Sequence, residues 1–206
     1  MEQIIKIGLS ELKMMGLFVH DNTPVIKALQ VSKPISKQIK IYQAGLIFRL
    51  MSQYNEPGNV IFEIGTRLGF SASIIAQAAP LARVITLEKI MTRIERACGN
   101  LEQFNNVRVK KGISWEILRK YQGPLLSAIF IDGDHKRAWA DVPWFNWLKP
   151  DGLILFHDYT EHNAPPVCRA VDQMAGTLHR SPDIEVVDEN GIGMAGFYRK
   201  DLNEKF

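Results

Sequence analysis

Two stretches of the chain place acidic and histidine side chains directly after apolar runs. The first is Ala128-Ile-Phe-Ile-Asp-Gly-Asp-His135, and the second is Leu155-Phe-His-Asp-Tyr159. Apolar runs of this kind are typical of strands that are buried on both faces of a parallel sheet. Open sheets of such strands bind ligands at the carboxyl ends of the strands. These acids and histidines are therefore candidates for a reactive site at one edge of a sheet.

Asp132 and Asp158 form the first candidate pair. If their two strands are neighbours, about 4.8 Å apart, the two carboxylates converge. Two carboxylates that lie so close repel each other unless a proton or a cation lies between them. Oxygen-rich sites favour Mg²⁺ or Mn²⁺, and such an ion lowers the pKa of a bound substrate hydroxyl. We therefore predict that Asp132 and Asp158 bind a divalent cation.

Two histidines accompany these acids. His135 lies three positions after Asp132. Because the unperturbed pKa of histidine is about 6.5, His135 is a candidate general base for a substrate hydroxyl. A structural or helix-capping role is the alternative for His135. Neighbouring side chains on a strand point to opposite faces, so His157 is a third metal ligand only if the strand has ended before Asp158.

A turn with two glycines indicates a ligand-binding loop. Residues 60–64 predict a buried strand, Gly65 and Gly69 punctuate a tight turn, and residues 71–79 predict a helix with Ser71 as its N-cap. Glycine allows the backbone to approach a ligand where a Cβ atom would collide. The spacing is neither that of the dinucleotide turn G-x-G-x-x-G nor that of a Walker loop.

Two acids indicate which ligand this turn takes. Glu63 at the end of the first strand would repel a pyrophosphate, and it suits a ligand with an amino group or positive charge, such as S-adenosylmethionine. Glu88 ends the predicted strand over residues 82–88, 23 positions after Gly65. An acid near that spacing suits hydrogen bonds to both ribose hydroxyls. A solvated carboxylate is the alternative reading of Glu88.

Composition and charge exclude several classes of protein. The chain has 206 residues, of which 46% are hydrophobic, and its net charge of +3 includes no concentrated basic block. A nucleic-acid partner is therefore not indicated. Cys98 and Cys168 lack the spacing of a metal site, and no apolar run reaches the roughly 18 residues of a membrane span. We expect a cytoplasmic protein without a signal peptide, a membrane partner or a nucleic-acid partner.

The alternation of predicted strands and helices indicates an α/β fold with a doubly wound, mostly parallel, seven-stranded sheet. A helix is predicted over residues 136–147. The turn Asp188-Glu-Asn-Gly191 predicts a C-terminal antiparallel hairpin. Residues 1–206 are expected to form a single domain, in which residues 1–55 are an N-terminal helical extension. Three roles are open for this extension: it covers the site, it forms a homodimer contact, or it packs against the sheet.

Four motifs together resemble the class I S-adenosylmethionine-dependent methyltransferases, in the O-methyltransferase branch called the methyltransferase-24 family. They are Phe62-Glu-Ile-Gly-Thr-Arg-Leu-Gly-Phe-Ser71, Ile131-Asp-Gly-Asp-His135, Leu148-Lys-Pro-Asp-Gly152 and Phe156-His-Asp-Tyr159. The resemblance covers residues 60–159 and implies a Rossmann-like methyltransferase fold. It implies a base at His135 and metal ligation by Asp132 and Asp158, to which His157 is added as a candidate ligand.

The cofactor site that we predict for S-adenosylmethionine comprises Glu63, Gly65, Thr66, Gly69, Ser71, Glu88, Gly112, Ser114 and Asp132. In families that this chain resembles, Gly112 and Ser114 stand where adenine is contacted; helix capping is the alternative for Ser114. This chain differs from two related groups of enzymes at positions that bear on metal binding. Macrolide-type enzymes have Glu in place of His157, and catechol-type enzymes have Asn in place of Tyr159. Each change removes a familiar oxygen ligand, so a metal-free enzyme is an alternative.

The resulting prediction is an enzyme that methylates a hydroxyl of a small molecule or sugar, with S-adenosylmethionine and a divalent cation such as Mg²⁺ as candidate cofactors. One alternative is an NAD-dependent or nucleotide-sugar enzyme on a Rossmann-like fold, against which the missing G-x-G-x-x-G counts. Another is a non-catalytic S-adenosylmethionine-binding protein. The acids and histidine gathered at one predicted sheet edge argue against that second alternative.

Overall fold

The structure is a computed structural model that describes residues 24–35, 39–162, 164–188 and 191–206. In chain order these residues form the elements α1 Pro24–Ser32, α2 Ile41–Ser52, β1 Val60–Ile64, α3 Phe70–Ala78, β2 Arg83–Glu88, α4 Met91–Leu101, β3 Val107–Lys111, α5 Ser114–Leu118, β4 Leu126–Ile131, two 3₁₀ helices His135–Ala140 and Val142–Trp147, β5 Leu148–Tyr159, α6 Pro165–Leu178, β6 Ile184–Val187 and β7 Gly193–Tyr198. None of the helices in these ranges is long and apolar enough to cross a membrane.

The strands form one sheet in the order β3-β2-β1-β4-β5-β7-β6. The first five positions in this order pair in parallel, and β7 pairs antiparallel with both β5 and β6. This arrangement confirms the predicted α/β class, the mostly parallel seven-stranded sheet and the C-terminal hairpin. The sheet order also makes β4 and β5 direct neighbours, which is the arrangement that brings their carboxyl ends together.

The core lies on both faces of the sheet, because β1 and β4 are apolar and buried at nearly every position. On one face Ile61 and Phe130 pack against α3 and the helices α1 and α2. On the other face Phe62 packs against Trp144, with ring centroids 4.6 Å apart. Trp144 is completely buried, whereas Trp139 is 60% exposed and belongs to neither side of the core.

Several predicted boundaries are wrong for local reasons. The helix predicted over residues 136–147 is instead two 3₁₀ helices that meet at Asp141. Pro143 lacks a backbone N–H group and its ring clashes with the preceding turn, so a continuous α-helix cannot pass through it. Strand β5 spans Leu148–Tyr159, so the motif Leu148-Lys-Pro-Asp-Gly152 belongs to this strand. Residues 1–23 of the predicted N-terminal helical extension lie outside the described residues.

Neither predicted serine cap is present. Helix α3 begins at Phe70, and its N-cap is Gly69 with φ +91°. Ser71 is therefore inside the first turn of the helix and does not cap it. Helix α5 begins at Ser114, and Ile113 occupies the N-cap position. The hydroxyls of both serines are thus available for tertiary contacts within the fold.

Candidate active site

A cleft of ≈ 960 Å³ opens at the carboxyl ends of the central strands. Seven residues that the sequence analysis singled out line it, namely Gly65, Glu88, Ser114, Asp132, His135, His157 and Asp158. The lining also includes residues that the sequence analysis did not predict, among them Arg67, Lys89, Arg93, Trp115 and Lys136. The cleft therefore joins the loops that follow β1, β2, β3, β4 and β5.

The pairing of β4 with β5 places Asp132 next to Asp158. Ile131 is in register with Phe156, so each strand delivers its acid just beyond this pair. The backbone N–H of Asp132 also donates a hydrogen bond to the carbonyl oxygen of Ile64, at 2.8 Å. This bond ties the end of β4 to the end of β1.

An irregularity in β5 turns both His157 and Asp158 toward the cleft. The pairing of β5 with β7 shifts register between Phe156 and Tyr159, and Asp158 adopts a left-handed conformation with φ +53°. The alternation of side chains along the strand is therefore broken at this point. The Nδ1 atom of His157 lies 3.2 Å from Oδ1 of Asp132 and 3.3 Å from Oδ1 of Asp158.

His135 approaches the same two carboxylates from the loop after β4. Its Nε2 atom is 3.6 Å from Oδ1 of Asp132 and 3.3 Å from Oδ2 of Asp158. One potential ligand atom from each of Asp132, His135 and Asp158 lies within 4.8 Å of the other two. In the described part of the chain this is the one group of acids, histidines or cysteines with that spacing. Asp132, His135 and Asp158 thus form a candidate metal set, and metal binding by His157 stays a prediction.

The histidines and acids of this cluster shift one another's pKa values. Burial alone would raise the pKa of Asp132, but His157 and His135 together lower it below its usual range. Burial opposes protonation of His157, yet Asp132 and Asp158 raise the pKa of its imidazole to about 10. Asp132 also raises the pKa of His135, against the effect of burial and with help from Asp158. The cluster therefore favours positively charged imidazoles beside negatively charged carboxylates.

The two glycines of the turn after β1 have positive φ and are closely packed against other parts of the chain. Gly65 has φ +104°, and a Cβ atom built on it would lie 2.1 Å from the carbonyl oxygen of Asp132. A Cβ atom on Gly69, with φ +91°, would lie 2.9 Å from the side chain of Leu101. Both glycines are therefore required by contacts within the protein, and their predicted approach to a ligand stays a prediction. Gly65 nevertheless lines the cleft.

Five of the nine predicted cofactor residues do not line the cleft, namely Glu63, Thr66, Gly69, Ser71 and Gly112. Glu63 is completely buried, and its carboxyl group accepts a hydrogen bond from the hydroxyl of Thr86. The Thr86 hydroxyl in turn lies 2.5 Å from the hydroxyl of Thr66. Burial raises the pKa of Glu63 to about 7, although the hydroxyls of Ser71 and Thr86 act in the opposite direction. The Oε1 atom of Glu63 has no hydrogen-bond partner within the described residues. Cofactor-binding roles for Glu63, Thr66 and Ser71 remain predictions.

Glu88 lines the cleft and holds the surrounding loops in place. Its Oε2 atom accepts a hydrogen bond from the backbone N–H of Arg67, at 2.9 Å. Its Oε1 atom accepts from the backbone N–H groups of Lys89, at 2.8 Å, and Ile90, at 3.0 Å. A carboxylate oxygen has two lone pairs, so Oε2 keeps one acceptor position for a ligand. The predicted hydrogen bonds to both ribose hydroxyls would require the loops to release one of these contacts.

The loop after β3 is held by a buried acid that the sequence analysis missed. Ser114 lines the cleft, and its hydroxyl donates a hydrogen bond to the carboxyl group of Asp141. Burial raises the pKa of Asp141 to about 7, against the effect of Ser114. Gly112 does not line the cleft, and a Cβ atom there would meet the side chain of Ile117 at 2.4 Å. The sequence signal for Asp141 was its position just before Pro143, where the helix breaks.

Comparison with protein families gives a match to this part of the chain. The family described as a methyltransferase domain, of the methyltransferase-24 type, matches residues 62–159. Residues 62–159 are therefore similar to a methyltransferase domain. All the acids and histidines of the cleft lie inside the matched residues. A search of the curated proteins gives no match.

Several solved structures resemble this chain over most of its length. An O-methyltransferase from Bacillus cereus in complex with SAH has a TM-score of 0.66 at 18% identity, with 94% of this chain and 98% of that chain covered. The O-methyltransferase TomG from Streptomyces achromogenes, in complex with SAM, has a TM-score of 0.63 at 20% identity, with 97% and 100% covered. SAH-bound PaMTH1 from Podospora anserina has a TM-score of 0.65 at 15% identity, with 97% and 99% covered. These similarities establish the Rossmann-like methyltransferase fold.

Proposed function

We propose that this protein is an S-adenosylmethionine-dependent O-methyltransferase that acts on a hydroxyl of a small molecule or sugar. The observation that carries the proposal is the position of Asp132, His135 and Asp158 in one cleft with Glu88, inside the residues that match the methyltransferase family. When bound, S-adenosylmethionine supplies a methyl carbon that its sulfonium group activates toward a hydroxyl oxygen. Related folds have been solved with SAM or SAH bound, which supports this donor.

The cleft fits such a donor in size and in charge. Small-molecule sites in proteins have volumes of roughly 300–1,000 Å³, and this one is ≈ 960 Å³. It has room for an acceptor as well as for the donor. Glu88 offers an acceptor position at Oε2 for a ribose hydroxyl, and Ser114 and Trp115 line the adjoining wall. Glu63 does not line the cleft, but it directly precedes Ile64 and Gly65, which do, and its Oε1 atom has no hydrogen-bond partner within the described residues.

His135 is the candidate base. Its side chain lines the cleft and is partly exposed, while its Nε2 atom is buried against Asp132 and Asp158. Since Asp132 raises the pKa of His135, the imidazole becomes an effective base only as the pH rises through that raised value. Catalysis would further rest on holding the hydroxyl oxygen in line with the methyl carbon, which lowers the entropic cost of the reaction.

The same residues fit a divalent cation. Asp132 and Asp158 provide carboxylate oxygens, and the Nε2 atom of His135 has no hydrogen-bond partner within the described residues. A bound cation would lower the pKa of a coordinated substrate hydroxyl. A nitrogen that binds a metal cannot accept a proton, so His135 serves through Nε2 either as ligand or as base. The effect of a chelator separates these two forms of the proposal.

Three further parts of the proposal concern the whole chain. We propose one domain over residues 1–206, a cytoplasmic location and a homodimer that forms through the N-terminal helices. Helices α1 and α2 pack on α3, and Val31 on α1 is 41% exposed, which leaves an apolar side chain at the surface of this layer. Light scattering of the purified chain tests the homodimer, because a monomeric mass would contradict it.

The test of the proposed activity is transfer of a radiolabelled methyl group from S-adenosylmethionine to a panel of phenols, sugars and hydroxy acids. We expect His135→Ala and Asp158→Asn to lower transfer strongly, and the exposed His162→Ala to serve as a matched control with normal transfer. Loss of transfer with EDTA would support the metal-dependent form, and unchanged transfer the metal-free form. Equal activity of His135→Ala and His162→Ala at neutral pH would contradict the role of His135.

A further inference from the structure

The cleft has a cationic rim that the proposed chemistry does not use. Four positively charged side chains line the cleft, from Arg67, Lys89, Arg93 and Lys136. Lys89 is paired with Asp134, whose carboxylate lies 3.2 Å from the Lys89 ammonium. Across the described ranges of the chain, the other three side chains have no ion pair with an acid. We call Arg67, Arg93 and Lys136 the cationic rim.

The acids of the cleft contact groups other than the cationic rim. The carboxylate of Glu88 accepts three backbone N–H groups, and Asp132 and Asp158 lie against His135 and His157. None of these contacts involves a side chain of the cationic rim. The rim therefore presents unneutralised positive charge to whatever occupies the cleft. S-Adenosylmethionine carries a single carboxylate, which can neutralise one of the three cations, so at least two remain.

Arg67 has an unusual backbone conformation in the turn after β1. Arg67 has φ +50°, in the left-handed region that glycine adopts without strain. It stands between Gly65 and Gly69, which both have positive φ. A non-glycine residue kept in such a conformation beside a ligand cleft suggests a function for its side chain. The backbone N–H of Arg67 binds Glu88, so this strained position is also a fixed one.

We propose that the cationic rim binds a phosphate or carboxylate group of the acceptor, so that the substrate of the methyl transfer is an anionic molecule. This inference rests on the proposed function and names the class of its substrate. Guanidinium groups match the geometry of phosphate and carboxylate oxygens, and Lys136 adds a point charge. The anionic group would anchor the acceptor at the rim while its hydroxyl reaches His135, the neighbour of Lys136 in the chain.

Calorimetry with simple anions tests this site without knowledge of the acceptor. Inorganic pyrophosphate and citrate are titrated into the full chain, first alone and then with S-adenosylhomocysteine at saturation. We expect at least one of the two anions to bind in both conditions. A preference for pyrophosphate indicates a phosphorylated acceptor, and a preference for citrate indicates an acceptor with carboxylates.

Three variants and one control locate the binding. Arg67→Gly removes the guanidinium while the backbone keeps its positive φ without strain, and Arg93→Gln and Lys136→Gln remove the other charges. Each should weaken anion binding by about 10- to 150-fold, the range for losing hydrogen bonds to a charged group. Arg96→Gln is the matched control, because Arg96 is exposed on the same helix as Arg93 and does not line the cleft. It should bind the anion within about twofold of the wild type.

Two results would overturn the inference. One is the absence of binding of either anion when S-adenosylhomocysteine is bound. The other is competition between the anions and S-adenosylhomocysteine, because the rim would then serve the donor's own carboxylate. Failure of S-adenosylhomocysteine itself to bind the wild type is a separate result. It would contradict the proposed function, and with it the assignment of the anion to an acceptor.

Discussion

Replacement of Gly65 by alanine should destabilise the fold, for two reasons that can be measured separately. The positive φ of +104° costs an L-residue about 1–2 kcal/mol. In addition, the new Cβ atom would lie 2.1 Å from the carbonyl oxygen of Asp132 and 2.9 Å from the Cα atom of Gly133. Because both contacts are with backbone, relief requires the ends of β1 and β4 to move apart. Overpacking of this kind typically costs about 1–3 kcal/mol.

The two effects sum to about 2–5 kcal/mol, out of a typical total stability of about 5–15 kcal/mol. For a chain of this size the corresponding drop in Tm is about 4–20 °C. Gly58→Ala is the matched control, since Gly58 has φ +85° and an added Cβ atom there has nothing within 4 Å. The Gly58→Ala variant should lose only the stability that the positive φ costs, about 1–2 kcal/mol. Equal losses in the two variants in urea unfolding would refute the argument that β1 and β4 require Gly65 for close packing.

The remaining predictions concern the acids and the base of the cleft. Glu88→Gln should weaken S-adenosylhomocysteine binding by about 10-fold or more in calorimetry, since it replaces a charged acceptor; unchanged affinity would exclude Glu88 from the site. His135→Ala should lower the transfer rate by about 10²–10⁴-fold, with partial recovery at high pH as the hydroxyl ionises unaided; a flat pH profile would contradict this. Asp158→Asn should slow transfer and leave S-adenosylhomocysteine affinity nearly unchanged, and loss of that affinity would place Asp158 in the donor site instead. Burial raises the pKa of Glu63 from 4.5 to about 7, so the folded state holds this proton more tightly and stability should fall as the pH rises from about 4.5 to about 7; Glu63→Gln should lessen that fall in urea unfolding at pH 5 and pH 8.

The convergence of the acids was predictable from the sequence because it depends only on topology. Parallel strands that are neighbours end at the same edge, so Asp132 and Asp158 had to lie near each other once β4 and β5 were adjacent. The orientation of His157 was not predictable in this way. It follows from the register shift near the end of β5 and from the positive φ of Asp158. The sequence of that stretch contains no residue that predicts either feature.

Other features depend on contacts between segments that are distant in sequence. Gly65 was correctly predicted to lie in a turn after a strand, but its closest neighbour is the backbone of Asp132, 67 positions later. Ser114 was expected to cap a helix or contact a cofactor, yet its hydroxyl binds Asp141. The cationic rim was missed because its members come from three separate segments, namely the turn after β1, the helix α4 and the 3₁₀ helix after β4. Each of them, seen alone in the sequence, looks like an ordinary surface charge.

The most direct test of the central claim is calorimetric titration of the wild-type chain with S-adenosylhomocysteine and, separately, with NAD. A methyltransferase cleft should bind one molecule of S-adenosylhomocysteine per chain and show no saturable binding of NAD. Saturable binding of NAD together with no heat from S-adenosylhomocysteine would contradict the account.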